Sequence, residues 1–253
     1  MRGKQSLSAP HSRTYRRTPA HPDERGFQVV VEQSDLWITV RKDCPPDMET
    51  LALGAVNELR GQIQAKILLD PAFGASFAPL PVPRQGPEII RRMCRAAEIM
   101  AVGPMAAVAG AVAAFTAKAL LPWSPDCLVE NGGDSMLHST RDRVVGLLVE
   151  PGSKAVLGLR LRARDFPLSL CASSSFIGHS FSFGQGDLVV VRSKDAFLAD
   201  AAATAFCNML RGPDDPAKVA DRAAELAAEG IDGVFAQCAG GIAVWGNMEL
   251  TAV

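Results

Sequence analysis

The sequence predicts an α+β fold, a largely antiparallel sheet with packed helices. Two observations carry that expectation. Strand signals come in adjacent pairs and helical signals in blocks, the pattern of hairpins rather than of alternating strand–helix–strand units. Glycine pairs, Gly132-Gly133 and Gly240-Gly241, stand between short apolar runs, where a tight reversal needs backbone angles that glycine adopts at no steric cost. The order helix, strand, glycine pair occurs twice, which suggests an internal duplication.

Residues 1–25 read as a flexible basic arm. Arg13, Arg16, Arg17 and Arg25 lie there among few apolar residues, so the segment is expected to be solvated, with docking to a partner as the alternative. Residues 26–253 are expected to form one domain. Phe27–Val31 and Leu36–Val40 predict two strands around a turn at Glu32–Asp35. Asp47 is placed to cap a helix running to about Leu69, with Leu51, Val56, Leu59, Ile63 and Ile67 at helical spacing and Pro71 as its stop. Phe73–Pro87, with Pro79, Pro81 and Pro83, is expected to be an irregular surface loop or lid. Helices are predicted over about 87–101 and, beyond the break at Gly103-Pro104, over Met105–Leu120. Further strands are predicted at Cys127–Glu130, Ser135–His138, Val144–Val149, Ser169–Ala172 and Leu188–Arg192. Helices then follow at Ala196–Arg211 and at Pro216–Glu229, the second closed by Gly230. Gly233–Cys238 and Ile242–Trp245 form a last hairpin.

Bulk properties exclude some classes of function. The 253 residues are 48% hydrophobic and 21% charged, with a net charge of -1, so a general nucleic-acid binder, which needs a large positive excess, is ruled out. The six cysteines are scattered without a Cys-x-x-Cys pair, as expected of buried, reduced thiols. No apolar segment follows the charged N-terminus as in a secretory signal, which makes the cytoplasm the expected location. The uncharged run Ile99–Phe115 sits at the short end of the ~17–25 residues needed to span a bilayer. It contains Pro104 and is rich in alanine and glycine, so a helix buried between other elements explains it better, and no membrane span is expected. The apolar helices at 88–119 leave room for an assembly interface, and with it a homo-oligomer.

Chemistry concentrates in a few places. Within Asp200-Ala201-Ala202-Ala203-Thr204 the acid and the hydroxyl are four apart, hence on one helix face, and two oxygens from one turn suit a hard cation such as Mg²⁺. Asn131-Gly132-Gly133-Asp134 ends a strand and leaves the backbone open to a phosphate or a flat ring. Ser173-Ser174-Ser175 with Gly178-His179 form a polar island suited to phosphate binding with proton transfer. The helix start after Gly103-Pro104 offers free N–H groups to an anion. Each has a plain alternative: Asp200 as a charge favoured by a helix dipole, Thr204 bonded back to its own helix, the glycine pair as an ordinary turn, His179 and His138 as exposed residues.

Asn131-Gly132-Gly133-Asp134, the Gly178-His179 loop and Ala199-Asp200-Ala201-Ala202-Ala203-Thr204-Ala205 occur in the order of the signatures of the ApbE-like superfamily. The chain resembles a divergent, poorly characterised branch of it from about Gly103 onward. That family includes Mg²⁺-dependent flavin transferases, which cleave FAD and attach FMN to a threonine of a target protein. The resemblance implies Asp200 and Thr204 as metal ligands, joined by a backbone carbonyl from about Gly110–Ala113. His179 would be the base for an incoming hydroxyl, with Asp200 beside it at the reacting centre. Asn131, Gly132, Gly133, Asp134, Ser173, Ser174, Ser175 and Gly178 would line the FAD. A flavin or nucleotide ligand and an acceptor protein are the implied partners. The chain departs from the family pattern in two segments. Gly-Ala-x-Ala-Lys-Gly is here Gly110-Ala111-Val112-Ala113-Ala114-Phe115, and His-x-x-Asp-Pro is His179-Ser180-Phe181-Ser182-Phe183. The alternative they raise is a non-catalytic flavin- or nucleotide-binding module.

Overall fold

A computed structural model of the chain describes residues 21–45, 47–147, 157–175 and 186–252. Gly178 and His179, the arginines at 13, 16 and 17, and Leu148 and Val149 of one predicted strand lie outside them.

Two strands open the fold, β1 (Glu24–Val31) and β2 (Ser34–Arg41). They pair antiparallel across a two-residue turn in which Glu32 takes φ 52°. β1 thus starts inside the stretch read as the arm. The reason is Glu24, buried and paired with the Arg143 guanidinium, a contact invisible in the local sequence. Helix α1 (Met48–Leu69) follows and buries Met48, Ala52, Val56, Leu59 and Ile63. Asp47 precedes it but makes no side-chain cap bond. Pro71 does end α1, yet it also starts a short helix, α2 (Pro71–Ala75), whose Phe73 is fully buried. The irregular, proline-rich segment therefore starts only at Ser76, and it packs closely: a Cβ on Gly103 would come within 1.8 Å of the Ser76 carbonyl oxygen.

Helix α3 (Glu88–Met100) ends at Ala101 in the left-handed conformation. A 3₁₀ turn over Pro104–Ala107 then feeds α4 (Val108–Leu120). The two helical segments bend by 106° around this break, and among the described residues no single helix is long and apolar enough to cross a membrane. The small residues of the uncharged run serve packing instead. α4 is enclosed by α1, α5, β3 and β4, and alanine and glycine let all of these approach it.

Strands β3 (Cys127–Asn131) and β4 (Asp134–His138) pair around Gly132-Gly133. β5 (Arg143–Leu147), β6 (Leu157–Leu161) and β7 (Leu168–Ser173) lead to β8 (Leu188–Ser193). Helices α5 (Ala196–Met209) and α6 (Asp215–Glu225) precede β9 (Ile231–Cys238), β10 (Gly241–Gly246) and β11 (Glu249–Ala252). The sequence gives no clear signal for β6 and β11, both short. Among the described residues β1-β2-β3-β4-β7-β8-β9-β10 form one sheet, antiparallel at every pairing, and β11-β6-β5 form a second.

The eight-stranded sheet lies between the helices on one face and the small sheet on the other. Alternation sorts its side chains: Val189 and Val191 of β8 join the helix-side core, Leu188 and Val190 the core against the small sheet. β8 is buried at every position, as a strand covered on both faces must be. The helix–strand–turn–strand order recurs as α4-β3-β4 and α6-β9-β10. The second reversal places Ala239 and Gly240 in its turn at φ 48° and 86°. Gly241 belongs to β10, where a Cβ would meet the Pro213 carbonyl oxygen at 1.9 Å.

Candidate functional site

The site forms where three elements meet: the β3–β4 hairpin, the start of α4 and the first half of α5. Gly132 (φ 74°) and Gly133 (φ 121°) make the reversal, a conformation strained for any residue with a Cβ. Gly132 is exposed with nothing within 4 Å of its missing Cβ. Asn131 and Asp134 flank the turn as a register pair. Asn131 alternates with Val129 and Cys127, both in the helix-side core, and Asp134 shares that face with Met136. Both polar side chains thus point under the helices.

Asp200 reaches the same place from α5. Ala196 to Ala203 are all buried, with Asp200 itself 8% exposed and Asp134 7%. The Gly110 N–H donates to Asp200 Oδ2 at 2.8 Å, and the Ala109 amide also stabilises the carboxylate. The first amides of α4 have no partner within their own helix, and the acid of a neighbouring helix closes them. The anion that meets this helix start is therefore Asp200 itself. Glycine is required at 110: a Cβ there would lie 2.3 Å from the Ala196 carbonyl oxygen and 2.9 Å from the Asp200 Cβ. It is the amide of Gly110, not its carbonyl, that touches Asp200.

Asp134 accepts from the Ala172 N–H at 3.3 Å, and the Cys171 thiol lies close to it. Burial pushes its pKa up to about 7, against these two neighbours. Asp200 is held well above the usual carboxylate range, first by burial and then by the neighbouring charge of Asp134. Two carboxyl groups are thus buried within reach of each other's charge, and among the described residues neither has a lysine or arginine partner. Such a pair retains a proton or holds a cation. Cys171, on β7 beside Asp134, is pushed far up by burial and stays a thiol. Its place on the helix side, with Ser169 and Ser173, follows from the alternation of β7, the one signal that could have singled it out.

The remaining predicted residues are distributed around this centre. Thr204 is one turn along α5 from Asp200 and half-buried. Ser173 and Ser174 are buried at the end of β7. Ser175 lies farther along, its hydroxyl 3.8 Å from the Cys207 thiol of α5. Phe115 meets Phe197 edge-on at 5.7 Å. It lines a separate groove of about 370 Å³ with Leu59, Pro87, Ile89 and Lys118, so its ring fills space on the α1–α3 side. Among the described residues no cluster of three or more His, Cys, Asp or Glu side chains is placed to hold a metal; a cation here would rely on two carboxylates supplemented by neutral oxygens.

Comparison with known proteins agrees with this architecture. A model of the family described as "AbpE bacteria" matches residues 18–237. A UPF0280 protein of Methanopyrus kandleri is 40% identical over 203 residues, covering 79% of this chain and 80% of the relative. Another, from Methanocaldococcus jannaschii, is 40% identical over 183 residues, covering 70% and 73%. Flavin transferase ApbE from Vibrio cholerae shares the fold with a TM-score of 0.51 at 12% identity, covering 89% of this chain and 97% of that one. The flavinyl transferase ApbE of Pseudomonas stutzeri, in its apo form, gives 0.53 at 13% identity, covering 91% and 94%. Identity that low establishes the fold alone. The chain belongs to the AbpE bacteria family, as a divergent branch of the ApbE-like proteins whose relatives are UPF0280 proteins.

Proposed function

We propose that the protein is a Mg²⁺-dependent enzyme that acts on the pyrophosphate of FAD, or of a related dinucleotide, and transfers FMN to a protein hydroxyl. The observation that carries this reading is the Asp134–Asp200 pair: two buried acids, near enough for the charge of Asp134 to act on Asp200, with no basic partner among the described residues. Their oxygens, with the Thr204 hydroxyl nearby, form a hard donor set that fits Mg²⁺. The adjacent Cys171 stays protonated and does not divert the site toward a soft metal. When bound, Mg²⁺ supplies neutralisation of pyrophosphate oxygens as charge grows on the leaving group.

The chain's own residues do the rest. The Gly110 and Ala109 amides hold the Asp200 carboxylate in one orientation. Gly132 presents bare backbone on the exposed side of the hairpin, where a ligand can lie against it. The Ser173 and Ser174 hydroxyls add polar groups at the end of β7, on the ligand's path between hairpin and α5. His179 takes the part of the base on the strength of the sequence resemblance. Six buried cysteines, none in a disulfide, suit a reducing compartment such as the cytoplasm.

Incubation of the purified protein with FAD and MgCl₂ is expected to release AMP, with loss of release on chelation and in Asp200→Asn. Absence of both AMP and FMN in every condition, with no flavin on any added acceptor, overturns the reading. One observation favours a second reading, a flavin- or nucleotide-binding module without turnover: Ala114-Phe115 stands where the transferase pattern has Lys-Gly. That module is expected to gain thermal stability with FAD while releasing no AMP.

A further inference from the structure

We infer that Asn131 is a positioning residue that aims the Asp200 carboxylate through a single peptide unit, the one joining Ala109 to Gly110. The carbonyl of that unit accepts from Asn131 Nδ2 at 3.2 Å, and its N–H donates to Asp200 Oδ2 at 2.8 Å. The unit is planar, with its C=O and N–H pointing in opposite directions. One rigid plate is thus clamped between the hairpin on one side and α5 on the other. The amide cannot turn away from Asp200 without losing Asn131.

Both ends of the clamp are themselves fixed. Asn131 is paired with Leu36 of β2 and with Asp134 across the turn, and its side chain is 7% exposed. At the other end there is no slack, because Gly110 already sits where a single Cβ would collide with the Ala196 carbonyl oxygen. A hydrogen bond into the carbonyl polarises the amide and strengthens the N–H as a donor. An aspartate at 131 would have the same shape and no donor. It would turn an anionic oxygen toward the Ala109 carbonyl.

The importance of this link to activity rests on the reading of Asp200 as a cation ligand, but the link itself is measurable without any cation. In the metal-free protein the Gly110 amide proton is expected to move upfield in Asn131→Leu, in Asn131→Asp and in Asp200→Asn. In the Asp200→Asn background the Asn131 substitutions are expected to have little further effect on it. Binding of Mn²⁺, followed by water-proton relaxation, is expected to weaken about 10–100-fold in Asn131→Asp, the usual cost of losing a partner that orients a metal ligand. If Asn131→Leu lowers the yield of folded protein, Asn131→Ala provides the same readings. A Gly110 proton that stays in place in the Asn131 variants overturns the inference, and so does an equal shift in both backgrounds. Failure of the parent protein to bind Mn²⁺ overturns the cation reading instead, and the Gly110 resonance still decides the link.

Discussion

Gly110 and Asp200 are ninety positions apart in the chain, and the amide of one closes on the carboxylate of the other at 2.8 Å. That bond joins α4 to α5 at the point where both pass over the β3–β4 hairpin. A substitution at 110 tests how tight the junction is. Gly110→Ala is expected to destabilise the protein by roughly 1–3 kcal/mol, since the new methyl meets backbone at Ala196 rather than a side chain that could turn aside. Urea denaturation of the two proteins measures it, and an unchanged midpoint would contradict the packing described.

Two substitutions at Asp200 separate its structural role from its chemical one. Asp200→Ala leaves the buried Gly110 amide without its acceptor and is expected to cost about 1–3 kcal/mol. Asp200→Asn keeps an oxygen for that amide and removes the charge. It is expected to be as stable as the parent at pH 8, or more so, while losing cation binding. Denaturant midpoints with calorimetric Mg²⁺ titrations check both halves.

Asp134 sets a pH dependence. Its folded pKa is raised from 3.8 to about 7, so between these values the native state retains a proton that the unfolded chain has released. Stability of the metal-free protein is therefore expected to be greatest below the unfolded value and to fall as pH rises from about 4 to about 7, Asp134 contributing up to ~1.4 kcal/mol per pH unit and Asp200, raised as well, adding to the fall. Asp134→Asn is expected to make this slope shallower in a series of melts across the range, the remainder belonging to buried Asp200. Mg²⁺, which competes with the retained proton, is expected to stabilise the parent more at pH 8 than at pH 5.

Arg143 holds the start of the fold to its far side. It pairs with Glu24, donating to Oε2 at 3.0 Å, and lies 3.6 Å from Asp126, both acids only 1% exposed. Arg143→Met is expected to destabilise by about 3–5 kcal/mol, because it strands the buried Glu24 carboxylate, whereas Asp126 keeps Arg141, Ser139 and Thr140. Arg41→Met, which breaks an exposed pair with Asp43, is expected to cost about 1 kcal/mol or less. Equal effects would show that the Glu24–Arg143 pair does not anchor β1.

Much of the fold was legible in short-range pattern. The apolar spacing of α1, the proline that ends it and the paired runs around Gly132-Gly133 are all local, and the structure follows them. The strands without a signal, β6 and β11, are short, and their identity comes from pairing with each other. The prolines at 79, 81 and 83 predict a loop from Phe73 onward, but the hydrophobic demand of one phenylalanine prolongs helical structure to Ala75.

The sequence by itself determined the periodicities, the turn positions that need positive φ, and the one-turn spacing of Asp200 and Thr204, because each depends on residues within a few positions. Only the tertiary structure decided that Asp134 and Asp200 would be buried within reach of each other's charge, that Asn131 would hold the Ala109 carbonyl, and that Glu24 would be buried beside Arg143. Those contacts join residues far apart in the chain. They exist because the sheet and helices must close over one core, and no local spacing encodes which side chains that closure brings face to face.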